Sequence, residues 1–104
     1  MEYSQDEQYR RAEIIIDAVC KVGECTYAEF MFKKKSLHMN ALRGVAFYIS
    51  WEYGVHARRM AIMTSRTRGN IINQSKRYRD YIRSSDPISV QIYEKAKKVV
   101  EEQI

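Results

Sequence analysis

The sequence predicts an all-α fold of about six helices. Three observations carry that prediction. Apolar residues recur at steps of three and four along most of the chain, the spacing that gathers side chains on one face of a helix. Ser, Thr or Asp stands ahead of several of these segments, where a side-chain oxygen can cap the free amides of a first turn. Alternation of apolar and polar residues, the mark of a half-buried strand, is nearly absent; Phe30-Met31-Phe32 is the one short candidate.

The elements follow in order. Ser4 with Glu7 reads as a capping box, opening a helix to about Val22 with a stripe of Tyr9, Ala12, Ile16 and Val19, widened by Ile15 and Cys20. Gly23 is expected to end it. Thr26 with Glu29 makes a second capping box for a short helix through Tyr27, Phe30 and Met31, followed by a basic loop of Lys33, Lys34 and Lys35. A third helix is expected over roughly Leu37 to Tyr53. Leu42, Val45, Ala46, Ile49 and Tyr53 line its inner side, Phe47, Tyr48 and Trp51 enlarge it, and Gly54 closes it. Val55 to Met63 forms a short helix with Met60 as core contact.

After a tight turn, the stretch from 66 to 83 reads as a longer, strongly basic helix. Ile71, Ser75, Tyr78 and Ile82 share one face; Arg66, Gly69, Asn70, Asn73, Lys76 and Arg77 fall opposite. Thr64, Ser65 and Thr67 precede it as cap candidates, and strict helical phase turns Arg68 towards the core side. Asp86 caps a last helix with Pro87 in its first turn and a stripe of Ile88, Ile92, Ala96, Val99 and Val100.

At 104 residues the chain is expected to form a single domain, 1–104, with one core; residues 1–10 are a candidate for fraying. A hydrophobic fraction of 45% fits a folded chain rather than a disordered one. The net charge of +5 is uneven. From Arg43 to Arg83 nine Lys or Arg face two acidic residues, whereas both flanks are slightly acidic. Such a localised basic face suits a polyanion.

Two cysteines, Cys20 and Cys25, cannot complete a zinc site, and His38 and His56 stand at no ligand spacing, so no metal or other cofactor is expected. The polar, acidic start MEYSQDEQYRR is unlike a signal peptide, and no apolar run reaches membrane-spanning length. The expectation is a cytoplasmic protein with no membrane partner. Paired catalytic carboxylates and nucleophile–histidine arrangements are missing, so neither an enzyme nor a small-molecule substrate is expected.

A short helix, a turn and a basic helix together read as a helix-turn-helix at about 55–83, suited to the major groove of double-stranded DNA. Arg pairs bidentately with guanine and Asn with adenine. Arg66, Arg68, Asn70 and Asn73 are therefore the candidate base contacts. Lys76 and Arg77 are candidates for phosphates, joined by Lys33, Lys34, Lys35 and Arg43 from the flank and by Arg58 and Arg59 from the preceding helix. Gly69 lets a partner approach the backbone. A patch near Tyr3, Tyr9 and Ile14 leaves room for a homodimer.

From about Glu13 to Glu102 these segments resemble, in order and spacing, the C-terminal DNA-binding domain of the bacterial replication initiator DnaA. The residues that carry the resemblance are IIIDAV at 14–19, TYAEF at 26–30, KKK at 33–35, ALRGVAFYIS at 41–50, SRTRGNIINQSKRY at 65–78 with Arg66 as the leading arginine, and Asp86-Pro87. The resemblance implies a Trp-repressor-like helix-turn-helix, duplex DNA as partner, and a role in control of replication or transcription, with a phage or mobile element as one setting. The family's Asp-His-Thr after that arginine is here Thr67, Arg68 and Gly69, and the turn before it looks one residue shorter. Recognition of the initiator's own box is thus not implied. No Walker A loop is present, so a stand-alone DnaA-like domain is expected. The alternative is a helical protein-interaction module that keeps the fold without binding DNA.

Overall fold

In the computed structural model, which describes residues 2–32 and 36–104, Ser4 opens the first helix, α1 (Gln5–Gly23), by accepting from the Glu7 amide at 3.2 Å. The reciprocal half of the expected capping box does not form. The Glu7 carboxylate instead takes hydrogen bonds from Arg10 at 2.9 Å and Arg11 at 2.8 Å, which hold its pKa down to about 2. Among the described residues five further helices follow: α2 (Tyr27–Met31), α3 (Leu37–Glu52), α4 (Ala57–Thr64), α5 (Arg68–Arg83) and α6 (Pro87–Gln103). Among the described residues all regular structure is helical, and Phe30-Met31-Phe32 ends α2 rather than forming a strand.

The caps explain most of the boundaries. Thr26 and Glu29 form a complete capping box, and Thr67 and Asp86 accept from the amides of Asn70 and Ser89. Pro87 sits in the first turn of α6, where its missing amide costs nothing. Gly23 does not follow α1 as expected but is its last helical residue; Glu24 takes the left-handed turn, φ 54°. What Gly23 supplies is room, because a Cβ there would sit 2.4 Å from Leu42.

Four helices close in the same way. After α1, α3, α4 and α5, one amide reaches back three residues and the next reaches back five. The left-handed residue in these turns is Glu24, Gly54, Ser65 or Ser85. Only Gly54 is a glycine.

α3 is the hub and packs against all five other helices, most extensively against α5. Its run from Ala41 to Ser50 is buried on every side, so it reads as apolar all round rather than striped. Around it lie Ile15, Ile16 and Val19 of α1, Phe30 of α2, Met60 of α4, Ile71 and Tyr78 of α5, and Ala96 and Val100 of α6.

Four expected stripe positions are outside it. Trp51 is 65% exposed and Ile88 62% exposed, and Tyr9 and Ser75 are only partly buried. At Trp51 and Ile88 the apolar stripe is wider than the neighbour that could cover it. Residues 2–10, where fraying is expected, are tied down. The Gln8 side chain donates to the Tyr3 carbonyl at 2.9 Å and accepts from the His56 amide at 3.0 Å. The Arg11 guanidinium lies 3.8 Å from the Tyr3 ring centre and donates to the Tyr53 carbonyl at 3.1 Å. The patch expected at Tyr3, Tyr9 and Ile14 is partly consumed by these contacts. Among the described residues no helix is long and apolar enough to cross a membrane.

Candidate nucleic-acid interface

α4 and α5 pack against each other across a turn of Ser65, Arg66 and Thr67. Ser65 adopts φ 54°, and Arg66 donates its amide to the Ala61 carbonyl at 3.0 Å, so the chain reverses sharply before Thr67 starts α5. Thr67 is the cap. Thr64 is buried instead, its hydroxyl donating to the Met60 carbonyl at 2.7 Å. The expected helix start at residue 66 therefore moves to Arg68.

Ile71 and Tyr78 anchor α5 to the core, which fixes the phase of the rest of the helix. Gly69, Asn70, Asn73, Lys76 and Arg77 are all exposed. No side-chain hydrogen bond or ion pair holds Asn73, Lys76 or Arg77 among the described residues. The two acids within the basic stretch are engaged elsewhere. Glu52 accepts from the Tyr93 hydroxyl at 2.8 Å and lies 3.9 Å from Lys97, both on α6. Asp80 pairs with its neighbour Arg79 at 3.1 Å. The outer ridge of α5 thus keeps its positive charge, and Arg58 on α4 is likewise exposed without a carboxylate partner among the described residues.

The remaining candidates are placed differently. Arg66 is half buried and donates to the Thr64 carbonyl at 2.9 Å; burial, then the nearby Arg43, lowers its pKa. Arg68 is exposed, but its phase turns it to the flank of α5 that faces α3. Arg59 is partly buried and lies 5.9 Å from the Tyr9 ring centre, turned towards α1.

Arg43 corrects an expectation outright. It is 3% exposed, and its guanidinium donates to the carbonyls of Phe30 at 2.8 Å, Glu29 at 3.2 Å and Phe32. It serves the end of α2, not a phosphate. Lys33, Lys34 and Lys35 lie outside the described residues.

Two neighbours of the ridge went unmarked in the sequence. Asn40 and Gln74 line a polar cleft with Arg66, Thr67 and Asn70 at the start of α5. Gln74 stands one helical turn beyond Asn70, so spacing alone could have found it. Asn40 belongs to another helix and carried no local signal.

Gly69 stands in the first turn of α5 with nothing within 4 Å of where a Cβ would be. Packing therefore does not require glycine there. Gly69→Ala is expected to stabilise the fold by about 0.4–1 kcal/mol, chiefly by restricting the unfolded chain. Urea unfolding checks this, and a loss of stability would mean the first turn is more crowded than its geometry indicates.

The chain matches no family model, and comparison with curated proteins and with solved structures returns no significant match.

Proposed function

We propose that the protein binds double-stranded DNA through a helix-turn-helix made of α4 and α5, as a DnaA-like domain in control of replication or transcription. The observation that carries this reading is the outer ridge of α5. Gly69, Asn70, Asn73, Lys76 and Arg77 point to solvent while both nearby acids are held by other residues. A cationic helix face with two amides and a bare backbone patch suits a major groove better than it suits an apolar partner.

Asn73 and Asn70 are the readers in this proposal, with Arg66 and Arg68 at the entry to the groove. Lys76, Arg77 and Arg58 neutralise phosphates. Thr67, Arg68 and Gly69 replace the residues with which the initiator family reads its box, so a different target is expected.

Binding to duplex of random sequence, followed across salt concentration, is the first experiment. Contact with about five phosphates gives a slope of roughly −4 to −5 in log affinity against log salt. A flat line would exclude a phosphate-driven complex. Asn73→Ala is expected to relax preference at one base pair by about 1–3 kcal/mol in a target selected from a random pool. Equal weakening on all sequences would remove Asn73 as a reader. Gly69→Ala is expected to weaken the same complex while stabilising the free protein, which separates a partner's need for backbone approach from any need of the fold.

A further inference from the structure

On the flank of α5 that faces the C-terminal half of α3, the surface opens into a groove of about 370 Å³. Its floor is core: Phe47, Met60 and Ile71 are all nearly fully buried. One wall is Trp51, stacked on Tyr48 with ring centres 6.1 Å apart and planes 17° from parallel. The other wall is a stripe of α5 in which Ile72 and Ser75 lie among Arg68, Lys76 and Arg79. Among the described residues no carboxylate lines the groove. Arg79 has only exposed Asp80 beside it, and Arg68 and Lys76 have no ion partner among the described residues.

Where the stripe of α3 outruns its cover, the surface is shaped and charged as a site would be. The fold leaves the chain's one tryptophan in water beside an apolar hollow, under a rim that carries three positive charges. We propose that the groove binds a small amphiphilic anion: a flat aromatic body lying against Trp51 over the apolar floor, with a carboxylate facing the cationic rim. The volume is at the small end of roughly 300–1,000 Å³ for small-molecule sites, enough for a single ring system with a short acidic arm. An aromatic face stacks on indole, and arginine receives a carboxylate through paired, charge-assisted hydrogen bonds. The groove opens on the flank of α5 and shares Arg68 and Lys76 with the proposed duplex interface, so the titration below is made without DNA.

Trp51 reports on its own groove, since no other tryptophan contributes to the emission. The probe is 3-phenylpropanoate, titrated into the intact chain with 3-phenylpropanol as its uncharged counterpart. For a ligand of about eleven non-hydrogen atoms, a saturating shift of emission to shorter wavelength is expected with a dissociation constant on the order of 1 mM. The alcohol is expected to bind roughly tenfold more weakly. Arg68→Gln combined with Arg79→Gln should bring the carboxylate down to the level of the alcohol. Both side chains are on the surface, so circular dichroism of that variant should stay that of the parent. Ser75→Leu fills the hollow and should abolish the shift with either probe. Absence of a saturable shift, equal affinity for acid and alcohol, or indifference to the paired arginine substitutions would each overturn the proposal.

Discussion

Replacing Arg43 with alanine is expected to cost about 2–4 kcal/mol of stability, far more than an ordinary surface charge. The reason lies at the end of α2. That helix has five residues, so most of its carbonyls lack an intrahelical donor. Arg43 reaches from the first half of α3 and donates to the carbonyls of Glu29, Phe30 and Phe32. A cation at a helix C-terminus is favourable in itself, and here a planar fork meets several acceptors at once. Burial lowers the Arg43 pKa, yet arginine starts so far above neutrality that the charge persists. Alanine leaves a hole and strands the carbonyls. Arg43→Lys keeps the charge but not the fork and is expected to restore less than half of the loss. Urea unfolding measures both variants. A cost for Arg43→Ala below about 0.5 kcal/mol, the level of an ordinary surface substitution, would show that water replaces the guanidinium freely.

Gly44→Ala is expected to destabilise the protein by about 1–3 kcal/mol, although alanine is the better helix former. An added Cβ would stand 2.0 Å from the Tyr78 ring, which lies across Gly44 where α3 meets α5. The ring cannot simply swing out, because it is buried and packs edge-on against Tyr81 with centres 5.1 Å apart. Either the two helices separate or the tyrosine leaves its rotamer. Tyr78→Ala alone should cost about 3–5 kcal/mol through the cavity it leaves. In the double variant the new methyl group enters that cavity, so the two losses should fall short of their sum by at least about 1 kcal/mol. Strict additivity would show that the clash is relieved elsewhere. The contact matters beyond stability, because it sets how deeply α5 sits and so how far its outer ridge stands from the core.

Local chemistry was the part of this fold that could be read from the residues. Thr26, Thr67 and Asp86 cap the helices they precede, and Ile71 with Tyr78 fixes which face of α5 turns inward. Each of those relations spans four to eight residues. What could not be read depends on pieces brought together from afar. Arg43 looked like one more basic residue because nothing nearby in sequence announces the carbonyls of α2. Trp51 and Ile88 continue apolar stripes that outrun their neighbours. Glu7 had two suitors, the Ser4 amide and the arginines one turn on, and charge favoured the arginines. The candidate site divides in the same way. Asn73, Lys76 and Arg77 were placed by phase along a single helix, whereas the groove beside Trp51 needs three helices and no single one hints at it.

The turns at Ser65 and Ser85 have a thermodynamic corollary. They bracket α5, each held by a pair of backbone hydrogen bonds and each left-handed without glycine's looseness. The helix is therefore assembled before any encounter, and a partner that docks on it has no coil to order first. Association should then proceed without a slow conformational phase, and its heat-capacity change should match the surface covered, with no added contribution from coupled folding.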